Sequence, residues 1–181
     1  MPTSRPPSGR EVTRSDHRTK KASPPNVLGW REWVTLPALG IDRIKAKLDT
    51  GARTSSLHAF GLSDFVRDGV EMVRFEIHPV QRSARSAVKA EAKILDRRFV
   101  RSSTGHKELR RVISTILRIG ADEWPIELTL TRRDEMGFRM LLGRQALRGR
   151  VVVDPGRSYR SGREPKDERR ARSASKTDVH D

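Results

Sequence analysis

Polar and apolar residues alternate one by one in several stretches of this chain, and this constrains its fold more than any other feature. Glu71-Met72-Val73-Arg74-Phe75-Glu76-Ile77 alternates polar and apolar, apart from the adjacent Met72 and Val73. Trp124 to Leu130 does the same, with Ile126, Leu128 and Leu130 in step. Val112 to Ile119 is β-branched and partly alternating, and Ile44-Lys45-Ala46-Lys47-Leu48 alternates directly into Asp49. A period of two places successive side chains on opposite faces, so each stretch reads as a half-buried strand. Met140-Leu141-Leu142 and Val151-Val152-Val153 are continuous apolar runs, the pattern of strands buried on both faces. Gly40, Gly61, Gly69, Gly105, Gly120, Gly137 and Gly149 punctuate these segments as turns. Only Arg144 to Leu147 reads as helix. The expectation is an all-β domain, a small closed barrel.

Composition sets the limits of that domain. Residues 1–25 are rich in Ser, Pro, Thr, Arg and Lys, and residues 161–181 in Arg, Ser, Lys and Asp. Neither end has enough apolar residues to bury a core, so both read as disordered basic tails around a folded unit of residues 26–160. The chain has no cysteine, which excludes a disulfide framework, a Cys-based zinc site and a Cys nucleophile. No apolar run is long enough to span a bilayer, and the N-terminus lacks the apolar stretch of a secretory signal. A cytoplasmic protein with no membrane partner is the resulting expectation. The formal charge of +15 favours acidic partners. The charge is spread along the chain, however, and aromatics make up only 5% of it, which argues against nucleic-acid binding as the primary function.

One segment carries chemistry. Asp49-Thr50-Gly51 follows a strand. The glycine permits close backbone approach or a positive φ, the threonine hydroxyl can lock the loop, and the carboxylate can then point into a cleft. Alone, the tripeptide equally describes an ordinary turn. Ala52 follows it, and about ninety residues later Leu141-Leu142-Gly143 leads into Arg144 and the helical turn. A D-T-G-A loop paired with a later apolar-apolar-Gly segment resembles the retropepsin-like aspartic proteases. Further stretches sharpen the likeness: Gly29-Trp30-Arg31-Glu32-Trp33, Lys45 through Ala59, Ser102-Ser103-Thr104-Gly105-His106, and Gly137 through Arg144. Together they resemble a bacterial family of retropepsin-like aspartic endopeptidases. That family also carries the label ATP-dependent zinc protease, and it is associated with ATP-grasp ligases that add glutamate to proteins. The resemblance covers about Val27 to Gly162.

The resemblance implies a retropepsin-type barrel and a peptidase that cuts a peptide or isopeptide amide. Asp49, Thr50 and Gly51 would be catalytic, with Ala52, Leu141, Leu142 and Gly143 supporting them. Aspartic proteolysis needs two carboxylates, one acting as base toward a water and one polarising the scissile carbonyl. This chain has a single Asp-Thr-Gly, so the second Asp49 is expected from a second copy. Ala52 has no hydroxyl to donate to the carboxylate, which predicts an activity optimum nearer neutrality. The segment from about Ala87 to Gly120 reads as strand, tip and strand, with Ser102 to His106 as a candidate flap tip. Arg53, Gly105, His106 and Arg144 are candidates for substrate binding, and the arginines would suit an acidic substrate.

Two rival readings stand beside this one. The first is a zinc-dependent hydrolase, although no cofactor is expected from the residues and zinc enters only through the family label. There is no H-E-x-x-H, no two histidines have metal-ligand spacing, and no metal ligand is assigned. His58, His78 and His106 could converge with Glu76. The alternative without catalysis is a peptide-binding partner of an ATP-grasp ligase.

Overall fold

The alternating stretches do form strands, and their inward faces build one core. The structure is a computed structural model that describes residues 26–79, 87–101, 105, 107–132 and 137–162. The expected tail at 1–25 and residues 163–181 of the expected tail at 161–181 lie outside the described residues. In chain order the strands are β1 (Asn26–Gly29), β2 (Arg31–Leu36), β3 (Ile41–Asp49) and β4 (Ser55–His58). Next come β5 (Phe60–Arg67), β6 (Val70–Ile77), β7 (Val88–Arg101), β8 (Lys107–Ile119) and β9 (Asp122–Thr131). After β10 (Met140–Gly143) comes a single helical turn, α1 (Arg144–Leu147), and then β11 (Val151–Asp154). Among the described residues no helix is long and apolar enough to cross a membrane.

Six strands close a barrel in the order β2-β3-β10-β4-β9-β8, and the Thr35–Arg118 pairing of β2 with β8 completes the ring. Inside it, Leu36, Ile44, Leu57, Leu117, Leu128 and Leu142 are fully buried. Removing such side chains from water is the dominant favourable term in folding. Beyond the barrel, β7 continues from β8 into β6 and β5, forming an antiparallel extension. Its outer face is laced with ion pairs. Arg97 bonds both Glu71 and Asp64, Arg111 bonds Asp64, Arg67 and Arg74 share Glu91, and Arg98 bridges Asp96 and Glu127.

Two sequence expectations need correction. Val151–Val153 is not buried on both faces, because among the described residues β11 pairs only with β1, in parallel, as a separate two-stranded sheet. Val152 is left 49% exposed. Gly61 does not separate two strands. It lies within β5 with φ +56°, where the pairing of β5 with β6 shifts register between Phe60 and Ser63. An extra residue in a bulge commonly needs a left-handed backbone, which glycine adopts without strain.

The chain leaving β11 forms a strap over the first two strands. Trp30 N donates to Arg157 O, and Tyr159 N donates to Arg31 O. Glu32, fully buried, anchors the strap from below. Its Oε1 accepts from Gly29 N (2.6 Å) and Arg160 N (2.9 Å), and its Oε2 from Ser161 N (3.1 Å) and Ser161 Oγ (2.8 Å). These contacts extend past residue 160, the expected limit of the folded unit.

Candidate active site

The sheet brings the two motifs together by register. β10 lies between β3 and β4, parallel to the first and antiparallel to the second. Leu142 pairs with Leu48, and Gly143 with Asp49. The apolar-apolar-Gly segment is thus the strand beside the Asp-Thr-Gly loop. Leu142 is fully buried, and Leu141 on the opposite face is partly exposed.

The loop is held almost entirely through backbone. Gly51 N and Ala52 N both donate to Asp49 Oδ1, at 3.1 and 3.2 Å. Two amide donors orient that oxygen and leave Oδ2 as the outward one. Oδ2 lies 3.7 Å from Lys47 Nζ, and the Asp49 side chain is 26% exposed. Lys47 precedes Asp49 by two on β3, so the strand period puts both on one face. The sequence reading passed over Lys47, although that period was the signal for it.

Beneath the loop, α1 begins. Its first amides lack partners within the helix. Arg144 N instead donates to Ala52 O (2.9 Å) and Gln145 N to Arg53 O (3.1 Å). Gly143 N donates to Ser55 Oγ at 3.1 Å. Gly143 also has to be glycine, because a Cβ there would lie 2.5 Å from the carbonyl carbon and oxygen of Thr54. The site end of β3 is tied in turn to the first strands, since Leu48 N donates to Trp30 O.

Several local expectations come out differently. Gly51 has no positive φ, and a Cβ there would approach only Asp49 Oδ1, at 3.3 Å. Thr50 is exposed, and its hydroxyl bonds nothing among the described residues, so it does not lock its own loop. Arg144 does that instead, with Nη1 donating to Thr50 O and Gly51 O, both at 2.8 Å. Its guanidinium braces the loop, a role the sequence reading had not given it. Arg53 is exposed beside the loop. β7 and β8 form the expected hairpin, and Gly105 lies at its tip with φ +83°. His106 and residues 102–104 lie outside the described residues.

The zinc of the family label would need ligands among the histidines and their acidic neighbours. His58 and His78 both contact the Phe60 ring, with centroids 4.4 Å apart in each case, and His78 Nε2 lies 2.7 Å from Glu76 Oε1. Among the described residues, no group of three or more His, Cys, Asp or Glu side chains could hold a metal ion. Those residues therefore do not fit the zinc site that the label implies.

The chain is similar to several known proteins. A family profile described as RimB-like, retropepsin-like aspartic endopeptidase RimB, matches residues 27–164. A Shewanella pealeana protein named probable alpha-L-glutamate ligase is 47% identical over 133 residues, 74% of this chain and 29% of that protein. A Parasynechococcus marenigrum protein of the same name is 49% identical over 136 residues, 75% of this chain and 29% of that one. The chain thus spans less than a third of the length of these curated relatives. A crystal structure of a Legionella pneumophila protein of unknown function superposes with a TM-score of 0.62 at 26% identity, covering 75% of this chain and 98% of that one. With the profile spanning most of its length, the chain belongs to the RimB-like family of retropepsin-like aspartic endopeptidases.

Proposed function

We propose that the protein is a peptidase whose reacting centre is a pair of Asp49 carboxylates, one from each of two copies. The observation that carries this reading is the Asp49 loop: two amides hold Oδ1, Arg144 and Gly143 brace the loop, and Oδ2 faces outward. A carboxylate fixed so firmly by backbone is pre-oriented for proton transfer. In the reaction, one Asp49 takes a proton from water as its oxygen adds to the amide carbon. The other, protonated, polarises the carbonyl, and a proton passes to the leaving nitrogen as the C–N bond breaks. Only one such carboxylate exists per chain, so the pair needs twofold symmetry. The exposed Thr50 hydroxyl is available to the facing loop.

The β7–β8 hairpin is assigned as the flap. Phe99 and Leu109 are cross-strand partners near its tip, and they are 74% and 49% exposed. Such an apolar pair suits contact with a bound peptide. For substrate we favour acidic peptides or glutamate side-chain amides. Lys47 and Arg53 beside Asp49 support this, as do relatives in which the matching stretch belongs to a protein named for glutamate ligation. A ligase of the ATP-grasp class is then the natural partner.

The test is cleavage of glutamate-rich and neutral peptides by the wild type and Asp49→Asn, followed by mixing of the two proteins. Asp49→Asn should lose at least about a hundredfold in kcat/KM with its melting temperature kept. Equal mixing with subunit exchange should leave about a quarter of the dimers fully wild type, and activity should fall to that level. Activity that falls only to half would mean that each copy works alone. Retained activity in Asp49→Asn would remove the aspartic reading, and equal rates on both peptides would remove the acidic preference.

A further inference from the structure

Strand β3 sets a lysine beside the Asp49 carboxylate, and the sheet gives that lysine no other counter-charge. Lys47 and Asp49 share one face of β3, and Lys47 Nζ lies 3.7 Å from Asp49 Oδ2. The residues paired with Lys47 across the sheet are Arg31 on β2 and Leu141 on β10, a second cation and an apolar side chain. Like charges directly opposite each other are destabilising, so Lys47 does not serve to hold β2 against β3.

Two neighbouring cations are occupied. Arg31 Nε donates to Ser158 Oγ, and its guanidinium lies over the Trp30 and Tyr159 rings. Arg144 Nη1 donates to Thr50 O and Gly51 O. Lys47 differs from both. At 3.7 Å its ammonium attracts Oδ2 without a hydrogen bond, and among the described residues Nζ donates to no acceptor. The side chain is 43% exposed, so three N–H donors are left for a ligand beside the reacting carboxylate.

We infer that Lys47 is a specificity-determining residue, which recognises a glutamyl carboxylate of the substrate by giving up Asp49 for it. The inference rests on Asp49 being the reacting carboxylate. In the free protein the ammonium faces Oδ2, the outward oxygen that has to take a proton from water. A substrate carboxylate offers the ammonium direct, charge-assisted hydrogen bonds, which the 3.7 Å ion pair does not. As the ammonium turns to the substrate, Oδ2 is left open to water. A glutamine in the same place has nearly the same shape and no charge, and it leaves the ammonium on Asp49. The acidic preference therefore enters kcat, whereas simple attraction to a basic surface enters KM alone.

The experiment compares a short labelled oligoglutamate with the oligoglutamine of the same length, on the full chain at about 0.1 M salt. In cleavage, the wild type should favour oligoglutamate at least about tenfold in kcat/KM, with part of the difference in kcat. Lys47→Gln should bring the two substrates within about threefold, and Lys47→Arg should keep part of the preference because it keeps the charge. Lys93→Gln, an exposed lysine on β7, should change nothing. A preference that survives Lys47→Gln, or that lies wholly in KM, would overturn the inference. Binding reads the exchange without cleavage, by fluorescence anisotropy taken before cleavage sets in, on the cycle formed by Lys47→Gln and Asp49→Asn. Asp49→Asn releases the ammonium beforehand, so it should bind oligoglutamate about threefold more tightly than the wild type. Lys47→Gln should bind it about tenfold more weakly, and the gain from Asp49→Asn should vanish in the double variant. A gain of the same size in the double variant would mean that Asp49 merely repels the peptide, and the inference would fall. Failure to cleave either peptide would remove the peptidase reading alone, and the binding cycle would still decide the role of Lys47.

Discussion

Two backbone crossings in this molecule are built alike and sit on different business. At one, Gly143 passes beneath Arg53 and Thr54, so close that a Cβ would strike the Thr54 carbonyl. At the other, Gly29 passes beneath Arg157 and Ser158, closer still. Each glycine stands at the end of a strand, and each lets a later segment lie on an earlier one. Above Gly143 the covering segment ends in a partly exposed carboxylate. Above Gly29 it is a strap held by a carboxylate with no exposure. The same local device thus presents Asp49 in one place and hides Glu32 in the other.

The sharpest way to break this comparison is to fill both crossings. Gly143→Ala and Gly29→Ala each force backbone apart, and overpacking of this kind costs about 1–3 kcal/mol or more. If the first crossing serves the reaction, Gly143→Ala should also displace the Asp49 loop. Catalysis tolerates little misplacement, so kcat/KM should fall about a hundredfold or more in the folded protein. Gly29→Ala should lower the melting temperature comparably and leave kcat/KM within a few-fold. Chemical denaturation and peptidase assays on the same samples separate the two effects. Equal activity losses would mean that the strap is coupled to the site, through the Leu48–Trp30 hydrogen bond.

The two crossings also differ in how far the sequence reveals them. Asp49 and Gly143 could be paired from sequence only through the resemblance to the retropepsin-like family, and the parallel register of β3 and β10 is what brings their ends together. The β-rich barrel was legible from the alternation of its strands. The strap was not, because Arg157, Ser158, Arg160 and Ser161 have the composition of a solvated tail. Their order comes from residues far away in the chain: the Glu32 carboxylate holds Arg160 and Ser161, while Trp30 and Arg31 bond Arg157, Ser158 and Tyr159. The missed clue was the phase of Glu32, which shares the inward face of β2 with Val34 and Leu36. A charged residue in a core position calls for partners. The Val151–Val153 run misled in the opposite direction, since apolar composition does not reveal that β11 has only β1 beside it. The Arg144 brace could not be read from sequence either, because its acceptors are main-chain carbonyls, which every residue possesses.

Removing the anchor rather than the crossing should have the next largest effect. Glu32→Ala leaves Gly29 N, Arg160 N and Ser161 N without their acceptor and opens a void in the core. The expected loss is about 3 kcal/mol, read from denaturant unfolding. Glu32→Gln should fall between the two proteins, because an amide oxygen can keep one pair of donors while its NH₂ faces the other. Tyr159 fluorescence and protease sensitivity near residue 157 should report release of the strap in Glu32→Ala. A full-strength Glu32→Gln would indicate that the anchor works by shape and not by accepting hydrogen bonds.

The smallest effect belongs to the extension, where charge is organised in a third way. Arg111, and after it Arg97, hold the Asp64 carboxyl below its ordinary value. Arg97 does the same to Glu71, Arg74 to Glu91 and Arg98 to Asp96. A carboxyl whose folded value is depressed contributes stability above its unfolded value, and that stability is lost as pH falls through the folded one. The window therefore opens below about pH 4.5, the ordinary Glu value, and continues downward. These pairs are largely solvent-exposed, so each contributes little, and salt should weaken it further. Arg97→Gln/Arg111→Gln should shrink the fall in melting temperature on acidification and cost little at neutral pH. It should leave kcat/KM unchanged, since none of these groups touches either crossing. A variant that retains the full acid-induced drop would place the acid sensitivity elsewhere. One that loses activity at neutral pH would tie the extension to the barrel's Asp49 end, through β8.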